Sequence, residues 1–492
     1  MAKIVVLGLD GFNPDLVKQW SDELPNLMKM QKEGIWGSLK CTVPLTIPQV
    51  WTCAQCGRNP GAYGFWDFTY RDEFSYDETK VVNSEVTRRV DLLYTILPKM
   101  RQRVAIINVP VTWPPPKIPA GYAISGFVTP SLDRGFTYPD SLKEEVYKLV
   151  GKYIIDVAET DINCSKIDKG RVLKNIYDMD SQCLILTKYF INEKKCDYVM
   201  TVVIGSDRML NLFYRCFDSK NKRYDPDPCY KDALHDYYVW IDKNVGELRE
   251  SLPRDAVLFI HSGYGIKKLE GRINLNEWLI KEGYTTLLEY PMKLTSFKDV
   301  KVDWSKTGCW STGYSGKLYL NMKGREPQGV VDPKDCDKLL DELAAKLKDI
   351  PDKVGNHLNT QVWKRDDIYF DSYVKYGPDL FVSFNEGRLG TSELLGHGRG
   401  KIYSFDIAKG SSNAAHSLYG YFVIAGPGIP AKGELKEASL LNVAPTVLDI
   451  LGLPIPKNME RPSILSMVKK GGTTYSKETE RVVRSRLESL GY

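Results

Sequence analysis

Thr42-Val43-Pro44-Leu45-Thr46-Ile47-Pro48-Gln49-Val50-Trp51-Thr52-Cys53-Ala54-Gln55-Cys56-Gly57 is the stretch on which the reading of this chain turns. Pro44 and Pro48 flank Thr46. Pro48 suits the first turn of a helix, because its fixed φ fits there and its missing N–H would have had no partner anyway. Gly57 suits the position just past a helix end. The spacing predicts a short apolar helix over 48–56 with Thr46 at its N-terminus. There a hydroxyl sits beside free backbone N–H groups and the positive dipole end, a place for a phosphate or for an alkoxide that attacks one. On this stretch alone an ordinary N-cap is the simpler account.

Working outward, Ile4 to Leu9 is a continuous apolar run, as expected of a central parallel strand. Asp10-Gly11 follows at its carboxyl end, where open α/β sheets place their ligands. Helices are predicted over 14–20, 25–33, 87–97, 171–190, 234–250, 333–347 and 440–451. Strands are predicted over 103–108, 197–204, 256–260 and 417–425. Pro114-Pro115-Pro116 must be a loop. Strands alternating with helices argue for an α/β fold, a doubly wound, mostly parallel sheet flanked by helices, with inserted cap regions. The expected division is core over 1–130 with the Thr46 helix, a cap or connection over 131–190, core over 191–290, an inserted cap over 291–410, core over 411–465 and a polar helical tail over 466–492. Residues 353–409 are Gly-rich and read as irregular.

The 492 residues are 43% hydrophobic and 26% charged, ordinary for a soluble globular protein. A net charge of +5 offers no electrostatic argument for nucleic acid or a membrane. No apolar run approaches the roughly 18 residues of a spanning helix, and the run at Ile4 is too short for a signal-peptide core. A cytoplasmic protein is the expectation. Of ten cysteines, Cys53 and Cys56 form a C-x-x-C inside the predicted helix. No second pair follows at metal-site spacing, so they read as small buried hydrophobes.

Three sets of residues carry a resemblance: Lys3 to Phe12 (Lys-Ile-Val-Val-Leu-Gly-Leu-Asp-Gly-Phe), Trp51 to Gly64, and the blocks around Asn274, Trp304, Asn321 and Tyr421. Together they resemble the alkaline phosphatase superfamily, in particular its type I phosphodiesterase/nucleotide pyrophosphatase branch. The resemblance implies a site of three Asp, three His and a Thr or Ser nucleophile around two divalent metals about 4 Å apart. Asp10 matches the first Asp, Thr46 the nucleophile, Asp207 the Asp that opens an Asp-Arg-x-x-His pattern, and His416 the last His. Three ligand positions depart. Asn211 stands where a His belongs, and the strand-ending Asp-His-Gly has become His261-Ser262-Gly263. Tyr63 also replaces a His that is not a ligand in this reading. One ion would then rest on Asp10, Thr46 and His261, with Ser262 a poor addition. The other would rest on Asp207, His416 and the Asn211 carbonyl. Neutral oxygens bind Zn²⁺ weakly, so Zn or Mn, as one ion, two or none, all stay open.

Two functions follow. One is a metal-dependent phosphodiesterase or phosphohydrolase in which Thr46 attacks phosphorus. The other is a catalytically inactive relative that keeps the fold as a binding or scaffolding protein. The first needs a small phosphate ester, the second a protein partner. Trp66, Tyr70, Trp304 and Trp310 are aromatic residues available to stack on a base or to pack a core.

Overall fold

The computed structural model describes residues 3–78, 80–157, 168–221, 224–405 and 414–469. Most of the expected polar tail therefore lies outside the described residues. The central sheet contains β1 (Lys3–Leu9), β2 (Ile35–Lys40), β3 (Val104–Val109), β4 (Tyr122–Ser125), β5 (Thr137–Tyr138), β6 (Tyr198–Val203), β7 (Ala256–His261) and β8 (Tyr419–Ala425). Their spatial order is β2-β8-β7-β1-β6-β3-β4-β5, with Gly433–Glu434 and Ala438–Ser439 pairing along β2. β1 runs parallel to β6 and β7, and β3 runs parallel to β6 and β4. β8 is antiparallel to both β7 and β2. Every residue of β3, β6 and β7 is buried, as strands covered on both faces require. The expected α/β sheet is therefore present, with a parallel centre and antiparallel pairing toward both edges, at β8 and at β5.

Helices α1 (Ile47–Cys56), α2 (Lys169–Asn192), α3 (Gly205–Phe217) and α4 (Ala233–Ser251) flank it. α1 is buried at every position and ends on Gly57 at φ 64°, the left-handed cap that glycine supplies. It lies so close to β1 that a Cβ on Gly8 would fall 2.3 Å from the Trp51 ring. The helix predicted over 87–97 is corrected to two short ones, Ser84–Thr87 and Leu93–Lys99. The second starts afresh because Thr95 Oγ1 accepts from the Leu92 N–H at 2.9 Å. Of the segment 353–409, the described residues 353–405 are more ordered than their composition suggested. Gln361–Lys364 and Leu380–Ser383 join Cys309–Thr312 and Lys317–Leu320 in an antiparallel sheet. This sheet and the helix Cys336–Lys348 share a core of Trp278, Leu318, Leu343 and Leu380. Buried Lys317 ties it to the main body through Asp67 at 3.0 Å and Glu78 at 2.8 Å.

α3 starts on a carboxylate. Asp180, buried on α2, accepts from the Gly205 N–H at 3.2 Å and from the Tyr237 hydroxyl at 2.6 Å. Burial pushes its pKa up to about 7 from 3.8. Because the folded value lies above the unfolded one, folding takes up a proton between them, and this group's contribution to stability falls as pH rises from about 4 to about 7. Asp180→Asn cannot titrate. Urea unfolding should show the wild type losing up to about 4 kcal/mol more than the variant between pH 4 and pH 8. An identical pH dependence in both proteins would contradict this account.

Candidate active site

The carboxyl end of β1 delivers Asp10 into the protein, 1% exposed. Both of its oxygens are taken by donors. Trp51 Nε1 donates to Oδ1 at 3.0 Å, and the Tyr264 hydroxyl donates to Oδ2 at 3.0 Å. Burial first, then the charge of Asp207, pushes the Asp10 carboxyl up to about 7, against the pull of those two donors. Ser206 holds the Asp10 carbonyl from above at 2.5 Å.

Thr46 precedes the first turn of α1 in extended conformation, as its spacing predicted. Its hydroxyl does not cap the helix. It donates to the Trp66 carbonyl at 3.0 Å, which leaves the N–H groups of the first turn without a side-chain cap. Asp207 lies in the first turn of α3, just beyond the strand predicted over 197–204. Its Oδ2 accepts from Arg208 Nη1 at 2.7 Å and from Asn211 Nδ2 at 2.9 Å. Its Oδ1 is buried with no hydrogen-bond partner, 3.8 Å from His416 Nε2. Burial opposes ionisation of Asp207, but His416 and Arg208 outweigh it and hold the carboxyl below its ordinary value. His416 is raised in turn: Asp207 overcomes the burial that disfavours its charge. The other ring nitrogen of His416 is bonded to the Leu45 carbonyl at 2.7 Å, so it is not available to Thr46.

Thr46, Asp207, Arg208, Asn211 and His416 line one cavity of about 610 Å³. Lys267 and Arg272 add positive charge to its wall, and Phe68, Phe127, Tyr314, Trp363 and Tyr419 add rings. These rings are not the ones the sequence singled out. Trp66, Trp304 and Trp310 pack inside small apolar clusters instead. The cavity rings carry no periodic signal and come from segments far apart in the chain.

The family resemblance implies two metal ions, and the donors present do not fit a pair. Among the described residues no three His, Cys, Asp or Glu side chains come together in a way that could hold an ion. His261 ends β7 but is fully buried, with neither ring nitrogen hydrogen-bonded. Its ring faces Trp51 at 5.2 Å and Phe259 at 5.6 Å, and burial lowers its pKa to about 3, so it is neutral. Ser262 Oγ is spent on the Tyr264 carbonyl at 2.5 Å. Of the positions drawn from the resemblance, Thr46, Asp207, Asn211 and His416 line the cavity, whereas Asp10, His261 and Ser262 are buried outside its lining.

The family profile for type I phosphodiesterase/nucleotide pyrophosphatase matches residues 4–391, and the chain belongs to this family. Human ectonucleotide pyrophosphatase/phosphodiesterase 5 has a similar fold, with a TM-score of 0.51 at 13% identity over 95% of this chain and 99% of that one. The murine protein of the same name matches with a TM-score of 0.51 at 14% identity over the same shares. An inactive murine threonine-to-alanine form in complex with AMP matches with a TM-score of 0.50 at 13% identity over 93% and 96%. At these identities the likeness is one of fold. No curated protein matches the chain by sequence.

Arg208 ties the cavity wall to its surroundings. It is bidentate to Asp156 at 2.8 and 2.7 Å and lies 5.1 Å over the Phe127 ring. Arg208→Met strands Asp207 and Asp156 without their cation. Denaturant unfolding should show a loss of about 3 kcal/mol, the usual scale for breaking a buried pair from one side. A loss below about 1 kcal/mol would mean that water replaces the guanidinium.

Proposed function

We propose that this chain binds a phosphate ester of the nucleotide class in the 610 Å³ cavity, with the phosphoryl group at the N-terminus of α1 beside Thr46 and without two-metal hydrolysis. The observation that carries the reading is that Asp10 is buried with both oxygens already accepting, from Trp51 and from Tyr264, and that no three His, Cys, Asp or Glu side chains among the described residues are placed to hold an ion. The ligand class is supported by the family, by the uncapped first turn of α1, by Arg208, Lys267 and Arg272 in one wall, and by rings that can stack on a base. The AMP bound in the murine relative agrees with that class.

A second reading keeps phosphodiester hydrolysis with Thr46 as the nucleophile. It is favoured by Asp207 Oδ1, which has no hydrogen bond and stands 3.8 Å from His416 Nε2, a carboxylate and an imidazole side by side at the cavity. Against it, the Thr46 hydroxyl donates to a carbonyl that cannot take up its proton.

Calorimetric titration of AMP into the purified chain, with and without EDTA, tests the first reading. Binding should persist in EDTA and weaken at least tenfold in Arg208→Ala. Absence of AMP binding in both conditions would sink the ligand assignment. Release of p-nitrophenol from bis(p-nitrophenyl) phosphate should be the same for wild type and Thr46→Ala. A rate abolished by Thr46→Ala would establish the second reading.

A further inference from the structure

We infer that Tyr264 is the residue that closes the metal site of this chain, its side chain standing against both halves of the site at once. It lies on the turn straight after His261-Ser262-Gly263 and is fully buried. Its hydroxyl donates to Asp10 Oδ2 at 3.0 Å. The face of its ring stacks on His416, with centroids 4.2 Å apart and planes 29° from parallel. One rigid side chain thus joins a ligand position of each half-site. A divalent ion on Asp10 would have to share Oδ2 with the tyrosine hydroxyl and find room beside its ring. The tyrosine occupies one side of that oxygen and covers one face of the His416 ring, whose Nε2 edge is left to Asp207.

Trp51 completes the closure from the opposite side by donating to Asp10 Oδ1 at 3.0 Å. The two donors do for the buried carboxylate what a cation would do, since each supplies a positive hydrogen at close range. Unlike a cation they are neutral, immobile and already part of the fold. The turn itself is locked, because Ser262 Oγ holds the Tyr264 carbonyl at 2.5 Å and the Ser262 N–H donates to the Tyr421 carbonyl at 2.7 Å. The departures at 261 and 262 therefore remove ligand types, while Tyr264 engages the Asp10 carboxylate beside them.

The inference rests on the reading of the cleft given above, but zinc is measured without any nucleotide, so the two fail separately. Zinc content after dialysis, read by elemental mass spectrometry, and zinc calorimetry are compared in four proteins. The wild type should hold no zinc that Asp10→Asn removes. His261→Asp/Ser262→His restores the family's ligand types but keeps the tyrosine. His261→Asp/Ser262→His/Tyr264→Ala also removes it, and should bind zinc at least tenfold more tightly than the double variant. Melting curves establish that each protein is folded. Zinc bound by the wild type and lost in Asp10→Asn would overturn the inference on the native protein alone. Equal zinc affinity in the double and triple variants, none at all included, would overturn the role of Tyr264.

Discussion

The seating of α1 on β1 governs the rest of this structure. Gly8 has no side chain, so the Trp51 ring can rest against the strand, and no larger residue leaves that room. Trp51 then reaches Asp10 with its indole N–H while its ring covers His261. The same contact fixes where α1 begins, and so where Thr46 stands. A backbone contact of this kind is costly to change piecemeal, because close-packed interiors transmit a shift to every neighbour. Strand, helix and the carboxylate between them form one unit.

Charge around the cavity is balanced by the chain's own side chains. Arg208 neutralises Asp207 and Asp156 together, and Lys317 does the same for Asp67 and Glu78 where the second sheet meets the main body. Such buried pairs stabilise little when complete and cost much when broken, so their main effect is to hold geometry. Their geometry sets the cleft, since Asp67 and Arg208 are in its wall. Fixed cations, aromatic rings and the uncapped first turn of α1 therefore border one cleft.

The fold was legible wherever signals were local. Pro48 and Gly57 bracketed α1 to within a residue, and the apolar runs of β1, β6 and β7 stood out because strands buried on both faces need no alternation. Residues 84–99 misled, because a capping hydrogen bond at Thr95 breaks a helix that the apolar pattern alone would continue. Residues 353–409 misled in the other direction. Their strands pair with partners up to 132 residues away, as Ser404 does with Arg272, so nothing in the local composition announces them.

Residue identity alone pointed to the family and the α/β sheet and marked Asp10, Thr46, Asp207 and His416 as candidates, because motif spacing at strand ends survives in linear order. Only folding decided what those residues meet. Tyr264 and Asp10 are 254 residues apart and Trp51 is 41 from Asp10, so their convergence on one carboxylate has no local trace. A missing ligand is visible as a letter. The side chain that fills its place is visible only when distant segments pack, because hydrogen bonding and excluded volume act through space and not along the chain.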